Sequence, residues 1–174
     1  MRNVELKARD RDPAATLELA LGLGAEDHGE IAQRDTYFAA ARGRLKLREQ
    51  DPGEAELIVY RRPDGTQART SEYRRVPVAD APALGEALHG AHPTLVVVDK
   101  RRRLLLWEGV RIHLDEVEGL GAFLELEAVA AEGSDLSQER EKVERLRREL
   151  HIEETNLVAG SYSDLLLDGP ERLL

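Results

Sequence analysis

The sequence predicts an α+β domain built on one large antiparallel sheet or barrel. Eight segments alternate polar and apolar residues with a period of two, strong turn signals separate most of them, and only a few helical segments flank them. At 174 residues the chain is about one domain long, so residues 1–174 are read as a single domain with a sizeable core.

The elements follow in order. In Arg2 to Arg9, Val4, Leu6 and Ala8 face one way and Asn3, Glu5, Lys7 and Arg9 the other, which is a strand. Asp12-Pro13 reads as a helix cap followed by proline in the first turn, and Gly22 or Gly24 ends that helix. Strands are predicted over Glu30–Phe38, Arg44–Glu49, Ala55–Arg62 and Thr70–Val78. Arg42-Gly43, Asp51-Pro52-Gly53 and Pro63-Asp64-Gly65 supply the turns of this meander. A short helix over Asp80 to His89 precedes three more strands, Leu95–Trp107, Arg111–Val117 and Phe123–Val129. Ser137 to Leu150 is a charged amphipathic helix with Val143, Leu146 and Leu150 as its stripe, and a last helix covers Ser161–Leu167.

Composition narrows the function. The chain carries 25 Lys+Arg against 34 Asp+Glu, a net charge of −9, which argues against general nucleic-acid or membrane binding. Two Phe, four Tyr and one Trp are too few for a platform that stacks single-stranded bases. The absence of cysteine excludes disulfides and thiolate metal sites. No apolar run approaches the roughly 20 residues of a membrane span, and strand-like residues begin directly after Met1, leaving no room for a signal peptide. The expectation is a cytoplasmic protein, and a homodimer is compatible with it.

Sorting the strand faces collects charge. Glu5, Lys7 and Arg9 share a face, as do Arg44, Lys46 and Arg48; Tyr60 lies with Arg62, and Lys100 with Arg102. Arg111, His113 and Asp115 oppose Val110, Ile112 and Leu114, and Glu125 and Glu127 oppose Leu124 and Leu126. A wet outer face is the plain reading for any one such strand. Repeated over six strands, the pattern also suits a closed barrel whose lumen holds one small ligand. Such a lumen needs an anion for its Arg and Lys, and its carboxylates suit a hard divalent cation.

These residues resemble the CYTH, or triphosphate tunnel metalloenzyme, superfamily. Glu5-Leu6-Lys7 is similar to the second half of its Glu-x-Glu-x-Lys signature. Lys46-x-Arg48, Arg62 and Lys100-x-Arg102 resemble its tunnel cations. Ile112-His113-Leu114-Asp115, Val117-Glu118-Gly119-Leu120-Gly121 and Phe123-Leu124-Glu125-Leu126-Glu127 resemble its late acidic block, and Ser161-Tyr162-Ser163-Asp164-Leu165-Leu166 resembles the closing segment of the class IV adenylyl cyclase branch. The resemblance implies an eight-stranded antiparallel β-barrel with a triphosphate lying along it. Lys7, Lys46, Arg48, Arg62, Lys100 and Arg102 would contact phosphate, with Lys7 and Arg62 the catalytic pair. Glu5, Glu125, Glu127 and Asp115 would hold Mg2+ or Mn2+. The implied activity is conversion of ATP to cyclic AMP and pyrophosphate, with hydrolysis of thiamine triphosphate or tripolyphosphate as the alternative. Asn3 stands where the first signature glutamate is expected, which also leaves open a polyphosphate-binding module without catalysis.

Other signals are ambiguous or plain. His113 suits a buried hydrogen-bonded histidine or a substrate contact, and Arg111 suits a carboxylate or a phosphate. Lys100-Arg101-Arg102-Arg103 splits between two strand faces and forms no continuous basic stripe. Tyr162 either closes one tunnel mouth or packs, and Ser137–Leu150 is a solvated face with pairs such as Glu141–Arg145.

Overall fold

Side chains on a strand alternate between its two faces, so a sheet with one apolar and one charged face has to curl or be covered. Here it does both. The computed structural model describes residues 2–61 and 69–169, and Arg62 lies outside them. The strands are β1 (Arg2–Arg9), β2 (Glu26–Phe38), β3 (Arg44–Asp51), β4 (Ala55–Arg61), β5 (Arg69–Val78), β6 (Thr94–Trp107), β7 (Val110–Val117) and β8 (Gly121–Val129). The helices are α1 (Pro13–Gly22), α2 (Ala81–Ala91), α3 (Ser137–Glu149) and α4 (Tyr162–Asp168), with a 3-10 turn at Glu154–Asn156. The strands form a closed barrel in the order β1-β5-β4-β3-β2-β6-β7-β8. Every pairing is antiparallel, and β8 returns to β1 with Leu6 opposite Leu126.

The leucine faces point outward, as the alternation requires if the charges are inside. Val4, Leu6, Leu105, Ile112 and Leu126 are buried against Val143, Leu146 and Leu150 at the α3 end of the chain. Each such burial stabilises by about 1.5–3 kcal/mol. The capping Asp12 carboxylate accepts from the Ala15 amide at 3.1 Å and starts α1, and the Trp107 indole donates to the Leu23 carbonyl at 3.1 Å, fastening its end. Arg145 stacks 4.2 Å from the Trp107 ring and pairs with Glu108 at 2.6 Å, not with Glu141. On the far side Leu47 is buried beside Gly85 of α2. No helix among the described residues is long and apolar enough to cross a membrane.

One boundary differs from the expected one for a local reason. The second strand, expected over Glu30–Phe38, begins at Glu26 and passes through Gly29. The register with β6 shifts between Asp27 and Glu30, and Gly29 takes a φ of +87° there. Glycine supplies the left-handed geometry that such a bulge uses.

The closing helix lies across one end of the barrel. Ser161 caps α4 reciprocally with Asp164, and Arg44 of β3 donates to Asp164 at 2.7 Å. Tyr162, Phe123, Val117, Val98 and Tyr60 belong to one buried cluster at that end, with Leu165 and Leu166 packed on it.

Leu126 is fully buried between the barrel wall and its helical cover. Leu126→Ala is expected to cost about 2–5 kcal/mol. The urea midpoint should fall with the slope unchanged; an unshifted midpoint would mean that this face is not core.

Candidate functional site

Inward alternation brings charges from six strands into one lumen, a cavity of about 350 Å3. Glu5, Lys7, Lys46, Arg48, Lys100, Arg102, Glu125 and Glu127 all line it. Asp115 lies beneath it, 2 % exposed.

The deep part is organised by two buried carboxylates. Asp35, 1 % exposed, accepts from Arg48 through both oxygens at 2.7 Å and from the Lys46 ammonium at 2.7 Å, with Lys100 at 3.8 Å. Asp115 accepts from Arg102 through both oxygens at 2.6 Å and from the Tyr162 hydroxyl at 2.8 Å. Asp115, expected as a metal ligand, thus fixes the Arg102 guanidinium and ties α4 to the barrel. Lys7 sits 3.8 Å from the Tyr162 ring centre and 3.4 Å from Glu125. Glu125 also lies 3.8 Å from Arg102 and 3.6 Å from His113 Nδ1. The last distance is too long for a hydrogen bond, and His113 Nδ1 is buried without one.

The ionisation pattern follows from this crowding. Burial would raise the Asp35 carboxyl, but Arg48 and Lys46 outweigh it and hold it well below the usual range. Burial opposes ionisation of Asp115 as well, and Arg102 and Lys100 bring it down to about 2. The lysines show the other side of the balance. Burial first, then repulsion from Arg48, pushes Lys46 down to about 8, despite its contact with Asp35. Burial and Arg102 push Lys100 well below its ordinary value. Lys7, Lys46, Arg48, Lys100 and Arg102 outnumber Asp35, Asp115 and Glu125, so the deep lumen favours an added anion.

Carboxylates gather at the Asn3 end. Glu5 stands directly opposite Glu127 across β1 and β8, an arrangement that like charges disfavour unless a cation joins them. The Asn3 amide donates to Glu127 at 2.5 Å, and Arg111 donates to the same carboxylate at 3.2 Å. Asn3 Oδ1 is buried without a partner. Glu5, Glu127, Glu125 and this orphaned oxygen are the hard oxygen donors that Mg2+ or Mn2+ takes, so the residue set fits such an ion. Among the described residues no three His, Asp or Glu side chains stand together as a ready cage.

Sequence reasoning missed Asp35, Gln33, Tyr37 and Tyr73, which belong to the same lumen. Gln33, Asp35 and Tyr37 do alternate along β2, but the opposite face holds Thr36 and Phe38, so neither face reads as outside. Phe38 is buried because α2 covers it, with His89 stacked edge-on at 5.2 Å.

Linkage gives the pH dependence. Between about pH 8 and 10.5 the unfolded chain keeps a proton on Lys46 that the folded chain has released, so stability rises with pH. Lys100 acts in the same direction. Tyr37 and Tyr162, whose phenols burial raises well above 10, reverse the trend beyond pH 10. The melting temperature is therefore expected to climb from pH 8 to 10 and then turn over. Saturating tripolyphosphate should remove the climb by keeping the lysines protonated. A flat profile without polyanion would show that these lysines titrate ordinarily.

Comparison with known proteins places this arrangement. The CYTH domain family matches residues 1–162. A Methanocaldococcus jannaschii protein provisionally named adenylate cyclase is 24 % identical over 174 residues, covering 95 % of this chain and 98 % of the relative. The PH1012 protein of Pyrococcus horikoshii superposes with a TM-score of 0.84 at 23 % identity, covering 94 % of this chain and 98 % of its own. A Vibrio parahaemolyticus structure, also provisionally named adenylate cyclase, gives 0.79 at 22 % identity, covering 94 % and 97 %. The match over residues 1–162 takes in all eight strands and the site they enclose, and the chain belongs to the CYTH domain family.

Proposed function

We propose that this chain is a metal-dependent enzyme that binds a nucleoside or other organic triphosphate in its barrel, and that its reaction is cyclisation of ATP to cyclic AMP and pyrophosphate. The observation that carries the reading is the cation surplus around Asp35 and Asp115, where Lys7, Lys46, Arg48, Lys100 and Arg102 stand among three carboxylates. A triphosphate neutralises that surplus with geometry the side chains already hold. Arg48 and Arg102 are each fixed by a bidentate carboxylate, so their remaining N–H groups are pre-aimed without loss of rotamer freedom. Lys46, Lys100 and Lys7 add point charges around them. Phosphoryl chemistry asks mainly for positioning and charge neutralisation, and these cations would stabilise pyrophosphate as it leaves.

Glu5, Glu125, Glu127 and Asn3 Oδ1 are the groups that would hold Mg2+ or Mn2+, which when bound would neutralise charge at the α-phosphate and acidify the attacking hydroxyl. Both relatives provisionally named adenylate cyclase support cyclisation within the family. Hydrolysis is the second reading, and one feature favours it. Arg111, paired with Glu127, is 39 % exposed, so water reaches the carboxylate end.

The deciding experiment incubates the protein with ATP, thiamine triphosphate and tripolyphosphate, with and without Mg2+ or Mn2+, and separates the products. Cyclic AMP with pyrophosphate is expected from ATP. Orthophosphate from any of the three points to hydrolysis, and binding without turnover points to a silent module. Glu127→Gln is expected to lower turnover at limiting metal by about 10- to 100-fold while the melting temperature changes little. Full activity of that variant at limiting Mg2+ would sink its assignment to the metal.

A further inference from the structure

Of the β1 residues that line the lumen, Glu5 and Lys7 are charged and Asn3 is neutral. Asn3 is also buried, at 2 % exposure. Its orientation is fixed by chemistry. Carboxylate oxygens only accept hydrogen bonds, so the atom of Asn3 that meets Glu127 Oε1 at 2.5 Å has to be the amide nitrogen. The amide oxygen therefore turns away from Glu127, and Oδ1 is buried with no hydrogen-bond partner among the described residues. A buried acceptor left in that state is costly, and a hard cation satisfies it. Glu5 follows on the same strand face, about 7 Å along the chain.

The same geometry limits how many cations this end can hold. Glu127 stands opposite Glu5 across β1 and β8, and opposite Arg111 across β7 and β8. Arg111 donates to Glu127 Oε2 at 3.2 Å, so each oxygen of this carboxylate already accepts from one donor. Among the described residues, Glu5, Glu125 and Glu127 are the carboxylates that line the lumen. Glu125 lies toward the cations, 3.4 Å from Lys7 and 3.8 Å from Arg102. One divalent cation joined to Glu5, Glu127 and Asn3 Oδ1 would thus neutralise this end with Arg111 in place. A second one about 4 Å away would meet about four times the repulsion of two unit charges, with no further carboxylate to offset it.

We infer that Asn3 sets the cation count of this site at one, as a neutral ligand through Oδ1 and as the donor that holds Glu127. The inference rests on the metal-dependent reading of the site and deepens it. A carboxylate at position 3 would instead release Glu127, add a third like charge and admit a second cation.

Mn2+ titrated into chelator-treated wild type, Asn3→Asp and Asn3→Leu tests it, with bound ion counted from the paramagnetic resonance signal of the free ion. Wild type is expected to bind one Mn2+ per chain. Asn3→Asp should bind two, and Mn2+ should raise its melting temperature more than that of wild type. Asn3→Leu keeps the size of the side chain but has neither oxygen nor donor. It should bind one ion roughly 10- to 100-fold more weakly. Two ions on wild type, none at all, an Asp variant that still takes one, or a Leu variant of unchanged affinity would overturn the inference. Should Asn3→Asp not fold in chelator, it is refolded with Mn2+ present, and failure to fold even then counts against a second cation. Tripolyphosphate titrated into metal-free wild type separates this inference from the triphosphate reading. A chain that binds one Mn2+ and no tripolyphosphate would overturn that reading and leave the role of Asn3 standing.

Discussion

The structure depends on keeping positive charge on the inner face of a closed barrel, where its groups are largely buried. Asp35 is the pivot of that balance. One carboxylate with almost no exposure holds Arg48 in a bidentate fork and Lys46 in a direct ion pair, while Lys100 stands at 3.8 Å. Removing one member of such a buried set leaves an uncompensated charge, a loss of about 3–5 kcal/mol. The set is nevertheless not neutral, and its lysines are the groups that yield. Arginine keeps its proton in any such setting, so burial first, and then repulsion from Arg48 and Arg102, falls on the lysines and depresses them.

That interior constrains the exterior. With most of the inner face given over to charge, the larger hydrophobic cluster forms between the outer wall and the helices, and a smaller one that includes Val98, Val117 and Phe123 packs with Tyr162 inside the barrel. Val4, Leu6, Leu105, Ile112 and Leu126 therefore meet Val143 and Leu146 outside. Closure of β8 on β1 matters for the same reason. It pairs the backbone of the strands that carry Glu5, Lys7, Glu125 and Glu127, so Glu5, Glu125 and Glu127 are held by ladders on both flanks and Lys7 by the ladder to β8. Rigid strands hold charged groups more accurately than loops would.

The sequence carried much of this, and the physical reason is periodicity. Strands with leucine on one face and charge on the other, such as β3, β7 and β8, reveal their inner residues at once, and the structure brings Lys46, Arg48, His113, Glu125 and Glu127 into one lumen. Where both faces are mixed the signal fails. On β2 the buried outer residue Phe38 and the buried inner residue Tyr37 are equally apolar, so Asp35 had no marked face. Gly29 hid the start of that strand because a bulge and a break look alike in composition. The ion-pair partners were also illegible. Asp115, expected among the metal ligands, takes Arg102 as its partner here. Alternation identifies the face a residue occupies and says nothing about which neighbour on that face it chooses.

Along the lumen the two signs of charge are not mixed but graded. The cations concentrate beside Asp35 and Asp115, where α4 closes the barrel, and Glu5 and Glu127 oppose each other at the other end with the orphaned oxygen of Asn3 beside them. A carboxylate at position 3 would have added a third like charge to that pair. The amide instead donates to Glu127 and holds it, at the cost of leaving its own oxygen unsatisfied. On the proposed function this gradient has a direct use. The terminal phosphates carry most of the substrate's charge and belong at the cationic end. The α-phosphate would then lie nearer the carboxylates, where a cation can join it to the protein. The order of charges from closed end to open end would thus select both the polarity of the bound chain and the bond that breaks.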